Sequence, residues 1–480
     1  MWRASSSAGA GSSPCGANSC CASTTAQSCL GSPASTTARW RRSQGPIWPC
    51  CGRPNESRPE RPRIVIIGGG FAGISAARAL RRCDADVILI DRRNHHIFQP
   101  LLYQVATAVL APSDVAAPIR QLEVSQKNVS VMLAEITGLD LNSRTVEADC
   151  QDLGKRKISF DYLVVAAGMQ PSYFGHNEFE KYAPGLKTLT DAEQIRTRIL
   201  RAYETAELTN DPAVRARQLT FVLVGGGPTG VELAASIAQL SSVTLRSNFR
   251  RINPAQTSIL LVEGGKRILP SYTESLSEKA AKRLEKLGVK VMTGAMVEHV
   301  DEHGVIVGGK RIESATVLWT AGVAPSAVVK MLGAHSDRAG RPFVGALLNL
   351  PENPRVFVAG DAAAATQDGR PLPGVAQVAI QQGRYVGRVI SAELKGSKQP
   401  APFRYFDKGS MAVVGKNFAI METGRVRMSG FLAWLAWAFV HIMSLPQLQN
   451  RLQVQRQWLW SYFTGERGAR LISEPPRAGE

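Results

Sequence analysis

The chain has 480 residues, a formal net charge of +18 at pH 7 and an apolar fraction of 44%. At roughly 100 to 200 residues per domain, this length predicts about three domains and excludes a single small binding module. The positive charge indicates anionic partners, such as acidic lipid headgroups, phosphate-bearing cofactors or nucleic acid, without choosing among them.

Residues 1–61 are rich in Ser, Ala, Gly, Pro and Arg, and they contain no acidic residue before Glu56. This composition predicts a disordered segment. It is either a targeting peptide or a stretch translated from a misplaced start, and its six cysteines slightly favour the second interpretation. The other two cysteines, Cys83 and Cys150, indicate a reducing compartment.

A first dinucleotide-binding unit is predicted from Arg63, where an apolar strand runs into three glycines and an Ala-rich helix. The second strand, residues 87–90, ends in Asp91, which is expected to hold a ribose hydroxyl. A lone glycine motif is weak evidence, but strand, turn, helix, strand and acid in this order are specific. The pyrophosphate is expected at Gly68, Gly70, Phe71, Ala72 and Gly73.

A second unit of the same kind follows at residues 221–235, with Glu263 at the end of its second strand. Residues 246–254 are predicted to form an extra loop before that strand. A carboxylate at this position repels a 2′-phosphate, so Glu263 favours NADH over NADPH. The glycine turn of this unit consists of Gly225, Gly227, Pro228, Thr229 and Gly230.

Helical spacing of apolar residues between Glu274 and Gly288, followed by a short apolar strand, predicts a parallel α/β sheet. Three further short apolar strands end in small or acidic residues. They are similar to the strands with which two-dinucleotide flavoproteins leave and re-enter their FAD unit. Their ends are Ala167 and Gly168, Ala321 and Gly322, and Gly360 and Asp361.

Four longer motifs occur at residues 94–104 (NHHIFQPLLYQ), 227–232 (GPTGVE), 376–383 (AQVAIQQG) and 405–412 (YFDKGSMA). With them, the span from Arg63 to about Ile472 resembles the type II NADH:quinone oxidoreductases, a non-pumping branch of the two-dinucleotide disulfide reductase superfamily. The resemblance implies an α/β fold with two Rossmann-like, glutathione-reductase-like domains and a C-terminal membrane-associating helical region. It also implies non-covalent FAD, NADH and a quinone as ligands.

The expected domains are an FAD domain at 62–171 and 336–400, an NADH domain at 172–335, a quinone-site and anchoring region at 401–472, and a flexible tail at 473–480. By resemblance, Ala376, Gln377 and Gln381 lie beside the flavin, and the two glutamines also reach the quinone headgroup. Glu232 is similar to an acid near the nicotinamide and quinone, and Lys408 to a cation at the reaction site. Surface glutamines and solvated or salt-bridged charges are the alternatives.

The pair His95-His96 is interpreted as a loop-packing feature, since no third ligand has suitable spacing, and no metal is expected. By resemblance, Gln99 and Pro100 belong to the wall around the isoalloxazine. The cysteine pair of the disulfide reductases is missing from residues 71–109, where Cys83 stands alone, so thiol chemistry is not expected.

The apolar run from Phe431 to Met443 has 13 residues, too few to span a bilayer, which takes about 20. Residues 451–463 then place Arg451 and Arg456 among aromatic side chains. This tail predicts a monotopic membrane anchor, with a buried hairpin or dimer interface as the alternative. The cytoplasmic face of a bacterial inner membrane is favoured over a mitochondrial inner membrane, and a homodimer is considered.

The sequence therefore predicts an enzyme that transfers a hydride from NADH to FAD and two electrons from FAD to a quinone. Without spanning segments, no proton pumping is expected. A soluble flavin or ferredoxin-type reductase and a non-catalytic NADH-sensing flavoprotein are the alternatives. No nucleic-acid motif interrupts the α/β pattern, so nucleic acid is not expected as a partner.

Overall fold

The computed structural model describes residues 61–472. The predictions of a disordered N-terminal segment and of a flexible tail at residues 473–480 fall outside this range. The helices are α1 Phe71–Ala79, α2 Leu102–Ala106, α3 Pro112–Val115, α4 Ile119–Leu122, α5 Leu189–Leu208, α6 Pro212–Gln218, α7 Pro228–Gln239, α8 Glu274–Lys286, α9 Ala327–Lys330, α10 Ala376–Leu394, α11 Phe431–Ser444 and α12 Leu448–Thr464.

The strands of the first half are β1 Arg63–Ile67, β2 Asp86–Asp91, β3 His95–Ile97, β4 Ala116–Pro118, β5 Val129–Leu133, β6 Glu135–Asp140, β7 Thr145–Asp149, β8 Lys155–Ser159, β9 Tyr162–Val165, β10 Met169–Pro171, β11 Thr220–Val224 and β12 Ser258–Glu263. Those of the second half are β13 Val289–Thr293, β14 Val297–Asp301, β15 Gly304–Val307, β16 Lys310–Glu313, β17 Thr316–Trp319, β18 Val323–Pro325, β19 Asn349–Leu350, β20 Asn353–Val358, β21 Thr366–Gln367, β22 Arg370–Pro371, β23 Ser410–Val413, β24 Ala419–Thr423 and β25 Val426–Gly430.

The first α/β unit is built on a six-stranded sheet in the order β19-β20-β9-β1-β2-β5. All neighbours are parallel except β19 and β20. Residues 64–67 of β1 are buried throughout, as expected for a central strand that is covered on both faces. The sheet therefore combines strands from before and after the second unit, because β20 returns to pair with β9.

The second unit has a parallel four-stranded sheet in the order β13-β12-β11-β17. Helix α8 buries Leu276, Ala280 and Leu284 on one face, and Gly288, with a φ of +85°, follows its end. The predicted helix and the strand after it are confirmed. The extra length before Glu263 begins earlier than predicted, because a π-helical turn at Leu240–Thr244 extends α7 before the loop starts.

Helix α10 packs closely on α1 through small residues. A Cβ on Gly383 would lie 2.1 Å from the Ala72 carbonyl oxygen, and one on Gly387 would lie 2.5 Å from the Ala79 Cβ. Larger side chains would separate the two helices. This contact holds the N-terminus of α10 beside the first glycine turn.

The C-terminal region begins with an antiparallel sheet in the order β23-β24-β25, which the sequence analysis did not identify. Helices α11 and α12 follow it and cover the two apolar stretches expected to reach the membrane. In the part of the chain that the structure describes, no helix is long and apolar enough to cross a membrane.

Candidate active site

The first glycine turn lies at the carboxyl end of β1. Gly68 has a φ of +106°, and a Cβ there would lie 2.4 Å from the Ala166 carbonyl oxygen, so the chain packs too closely for a side chain. Gly70 instead faces open space, and no side chain caps the N-terminus of α1. The free N–H groups of the first helical turn are therefore available to an anion, and a pyrophosphate fits this space.

The second glycine turn repeats this arrangement. Gly225 has a φ of +107°, and a Cβ there would lie 2.7 Å from the Ala321 backbone nitrogen. Gly227 faces open space at the start of α7, which also has no side-chain cap. The chain thus offers two separate cradles for phosphate groups, one in each unit.

Each predicted ribose acid is fixed on its own glycine turn. Asp91 accepts hydrogen bonds from the backbone N–H groups of Gly69, at 2.6 Å, and Arg93, at 2.8 Å. Glu263 accepts from those of Gly226 and Gly265, both at 2.6 Å. These are not freely solvated strand ends, and each oxygen keeps a lone pair for a ribose hydroxyl.

His96 supports the first turn from behind. Its Nδ1 lies 3.0 Å from the Gly69 carbonyl oxygen, and burial lowers its pKa to about 4. The ring is therefore neutral at pH 7 and donates its Nδ1 hydrogen to that carbonyl. Among residues 61–472, no group of three or more His, Cys, Asp or Glu side chains is placed to hold a metal ion.

The small residues at the predicted strand ends border the two turns. The Ala167 Cα lies 3.1 Å from where a Gly68 Cβ would be, and a Cβ on Gly360 would touch Ala72 and Ala379. The Gly360 N–H donates to the buried Gln382 side chain at 2.7 Å, a contact that the sequence analysis missed. Gly168 and Gly322 follow their strands with positive φ, and Phe174 packs over Gly322.

Asp361 follows Gly360, and burial raises its pKa, while Lys187 and Arg341 oppose that rise. A Cβ on Gly374 would lie 3.3 Å from the carboxyl carbon of Asp361, so Asp361 borders the segment that leads into α10.

Gln99 and Pro100 form a short 3-10 turn, in which Gln99 is exposed.

Gln377 and Gln381 lie one turn apart on α10, and both bind the same stretch of backbone. Gln377 donates to the Gly409 carbonyl at 2.8 Å and accepts from the Lys408 N–H at 3.2 Å. Gln381 donates to the Phe406 carbonyl at 2.9 Å and accepts from its N–H at 3.0 Å. The two amides together fix the backbone of residues 406–409, from which the exposed side chain of Lys408 extends.

Glu232 lies at the other end of the same segment. Its Oε1 accepts a hydrogen bond from the Val413 N–H at 3.4 Å, and burial raises its pKa to about 8. The group is therefore mostly protonated at pH 7. Residues 406–413 thus run from the glutamines of α10 to the acid of α7, and connect the two units.

A cavity of about 200 Å³ opens beside Glu232, between α7 and the C-terminal helices. Its wall is mainly apolar and aromatic. Residues from both units and the tail contribute to it: Tyr103, Gln104, Glu232, Ser236, Val413, Trp434, Trp437, Trp458, Tyr462 and Arg467.

Two contacts join the C-terminal helices to the core at this cavity, and the sequence analysis found neither. The Trp458 Nε1–H donates to the Gln104 side chain at 2.7 Å. The buried Arg467 donates to the Thr107 carbonyl at 2.8 Å and to the Ser236 carbonyl at 3.1 Å, and burial lowers its pKa to about 10. Arg467 thus ties the end of α12 to both units.

Helices α11 and α12 leave large apolar side chains exposed. Of the two tail arginines, Arg456 is exposed, whereas Arg451 donates to the Leu445 carbonyl at 3.1 Å. Arg451 therefore caps the preceding helix end. The exposed apolar set is Phe431, Leu432, Leu435, Phe439, Val440, Met443, Leu448, Leu452, Leu459, Trp460 and Phe463.

Two parallel α/β units, each with an open glycine turn, an uncapped helix and a fixed acid, define a two-dinucleotide oxidoreductase. The family model for pyridine nucleotide-disulphide oxidoreductases matches residues 62–383. The type II NADH:quinone oxidoreductases Ndh and NdhA of Mycobacterium tuberculosis are each 43% identical to the chain. The matches cover 88% and 86% of this chain and 92% and 90% of those proteins.

The solved structure of NDH2 from Plasmodium falciparum in complex with NADH is similar in fold, with a TM-score of 0.79 at 20% identity. It covers 87% of this chain and 100% of that one. The chain belongs to the pyridine nucleotide-disulphide oxidoreductase family and, within it, to the type II NADH:quinone oxidoreductases. The predicted family is confirmed, and so is the α/β fold with two dinucleotide-binding units and C-terminal helices.

Proposed function

We propose that the protein oxidises NADH through non-covalently bound FAD and passes two electrons to a membrane quinone, without pumping protons. The observation that carries this proposal is the segment 406–413, which links Gln377 and Gln381 to Glu232 beside an apolar cavity. The names of the two mycobacterial relatives support the same reaction. In balance, NADH, quinone and one proton give NAD⁺ and quinol.

The first glycine turn and Asp91 would hold FAD, and the second turn and Glu263 would hold NADH. Bound FAD supplies a ring that takes two electrons from the nicotinamide and gives them to the quinone. Glu263 selects NADH, because its carboxylate would repel a 2′-phosphate. The small residues at the strand ends allow both cofactors to approach the protein backbone closely.

Glu232 is the proposed proton donor to the quinone. It carries a proton at pH 7, borders the cavity, and has only one oxygen bound to a backbone N–H. Lys408, whose backbone N–H is held by Gln377, would place a positive charge near the quinone oxygen, where negative charge develops.

The exposed apolar face of α11 and α12 is the proposed membrane surface. Aromatic residues such as Trp460 and Phe463 suit the headgroup boundary, and the exposed Arg456 suits anionic lipid. The cavity beside Trp437 and Trp458 lies next to these helices, so a lipid-soluble quinone could enter from the bilayer. The proposed location is the cytoplasmic face of a bacterial inner membrane.

Purified full-length protein should oxidise NADH faster than NADPH, and only when a short-chain quinone is present. Rapid flavin reduction by NADH that no quinone reverses would contradict the quinone assignment and favour an NADH sensor. Turnover with ferredoxin alone would favour a soluble reductase. In sealed vesicles, turnover should leave an internal pH dye unchanged.

Vesicles that contain anionic lipid should bind the wild-type protein in a flotation assay, and Phe439→Ser/Phe463→Ser should bind at least tenfold less. Val124→Ser, a matched control at an exposed apolar residue outside the tail, should bind normally. Equal binding of all three proteins would contradict the proposed surface.

The mass of the detergent-solubilised protein tests the expected homodimer against the 51.8 kDa chain.

A further inference from the structure

Lys187 lies where the chain passes from the first unit to the second, between β10 and α5. Just before it, the Pro184 carbonyl accepts a hydrogen bond from the Trp319 N–H at 3.0 Å. The linker therefore runs along the end of β17, close to the second glycine turn. Lys187 is thus placed at the boundary between the two units, where the reactive ends of two bound dinucleotides would have to meet.

The backbone of Lys187 is fixed on both sides. Its N–H donates to the Asp191 carboxylate at 2.9 Å, and Asp191 also completes the N-terminal capping box of α5. The Lys187 carbonyl accepts from the Gln99 side chain at 3.5 Å. The lysine side chain therefore starts from a fixed point next to a residue that is expected to border the flavin.

The ammonium group of Lys187 has no carboxylate partner within 4 Å among residues 61–472. Burial lowers its pKa, and the only charged side chain that opposes this effect is Asp361. A cation just before the N-terminus of α5 is also unfavourable to the helix dipole. A partly buried charge without an ion-pair partner in such a place is costly to the free protein.

Asp361 does not neutralise Lys187 by direct contact. Its own pKa is raised by burial, and Arg341, the other nearby cation, already pairs with Asp337 at 2.8 Å. Lys187 and Asp361 are thus close enough to shift each other's pKa, but they form no ion pair. A ligand bound beside both would meet one positive and one weakly acidic group.

We propose that Lys187 is a flavin-facing positioning cation that stabilises reduced FAD relative to oxidised FAD. This inference rests on the proposed binding of FAD in the first unit. A hydride carries two electrons and one proton, so its transfer from NADH leaves NAD⁺ and adds one negative charge to the flavin. An ammonium held in a poorly solvated site favours that extra charge more strongly than one in water.

The test compares the flavin midpoint potentials of the full-length wild type, Lys187→Met and Lys187→Arg, measured by equilibrium titration against a reference dye. Lys187→Met should weaken binding of reduced relative to oxidised flavin at least tenfold, which is about 30 mV for a two-electron couple. Lys187→Arg should keep most of the wild-type potential. Lys181→Met, which removes an exposed charge from the same linker, should not change it.

An unchanged potential in Lys187→Met would overturn the inference. This includes the case in which oxidised and reduced flavin are both bound more weakly by the same factor, which is expected if Lys187 contacts the pyrophosphate. Equal shifts in the Met and Arg variants would also overturn it. Failure of quinone turnover, with the potential shift intact, would contradict only the proposed function.

Discussion

The two glycine turns of this chain are alike in backbone, but the helices that follow them carry different residues at one position that matters for proton chemistry. Counted from the positive-φ glycines Gly68 and Gly225, Ser75 on α1 occupies the position of Glu232 on α7. Ser75 is a small, buried side chain, whereas Glu232 is a carboxylic acid whose pKa burial raises to about 8. One unit can hold its cofactor passively, and the other adds a group that can move a proton.

The surroundings of the two helices match this difference. The first helix is covered by α10, which approaches it closely through Gly383 and Gly387. The second helix faces β23 and the cavity that the C-terminal helices complete. The repeated unit therefore provides nucleotide binding, and the elements packed against each helix determine what further chemistry is possible.

The largest expected effect is a selective loss of one cofactor from each unit. Gly70 and Gly227 both face open space and have ordinary extended backbone angles, so valine fits there without backbone strain and fills the space of a pyrophosphate. Gly227→Val should bind NADH at least 100-fold more weakly while keeping its FAD. Gly70→Val should purify without FAD.

Flavin absorbance and NADH titration check this pair of variants, and circular dichroism controls for folding. The assignment of one cofactor to each unit would be contradicted if Gly227→Val lost flavin and Gly70→Val kept it. It would also be broken if both variants kept both cofactors.

The next effect concerns Gln377 and Gln381, whose amides bind the backbone of residues 406–409. Replacing both with alanine should reduce quinone-dependent turnover at least tenfold and leave flavin reduction by NADH nearly unchanged. The released segment should also be cut faster by trypsin after Lys408. Stopped-flow absorbance and timed digestion measure the two results.

Gln121→Ala removes an exposed glutamine of α4 and serves as the matched control for this pair. Slower flavin reduction by NADH with normal quinone turnover would show that the glutamines act in NADH oxidation and not in quinone reduction, which would contradict the prediction. An unchanged digestion rate would show that they do not hold the segment.

A third prediction uses the raised pKa of Glu232. Because the folded-state pKa of about 8 is above the ordinary value of 4.5, ionisation is harder in the folded protein, and this destabilises it increasingly as pH rises from 4.5 to 8. Glu232→Gln should therefore raise the melting temperature by roughly a few degrees at pH 8 and by much less at pH 5. Calorimetry at both pH values checks this.

Ser75→Ala is the control from the equivalent position of the first unit, and the pH dependence of its stability should match that of the wild type. If Glu232→Gln stabilised the protein equally at both pH values, the effect would come from packing and not from proton binding. A lower quinone turnover in Glu232→Gln at pH 7 is expected in addition, because amides do not donate protons as acids do.

How much the sequence could predict depended on the distance between the interacting residues. Strand, glycine turn, helix and acid are close in sequence, and in both units these local elements were predicted within a few residues of their bounds. Arg467 contacts Thr107, which lies 360 residues away, and no local pattern marks such a contact. Lys187 is one ordinary lysine in a linker, and its contact with Gln99 and its electrostatic interaction with Asp361 join segments that are distant in the sequence.

The same reasoning explains why the surroundings of Gln377 and Gln381 were only partly predicted. Their spacing on one face of a helix was predictable, because residues four apart lie one above the other. Their partners were not, because peptide groups bind amides as well as cofactor carbonyls do, and the stretch that supplies these peptide groups, residues 406–409, lies before β23 and has no regular secondary structure. The sequence therefore predicted the position of the pair and not its hydrogen bonds.

The smallest expected effect compares the two ribose acids. Glu263→Gln keeps an oxygen for the Gly226 N–H but removes the charge that would repel a 2′-phosphate. The preference for NADH over NADPH should fall about fivefold, which corresponds to about 1 kcal/mol for a partly solvated charge pair. Asp91→Asn should weaken FAD binding and leave the nucleotide preference unchanged, because its acid faces the other cofactor. The nucleotide preference is measured as the ratio of steady-state kcat/KM values for NADH and NADPH at one ionic strength. A change of this ratio in Asp91→Asn would mean that the two units do not bind separate cofactors.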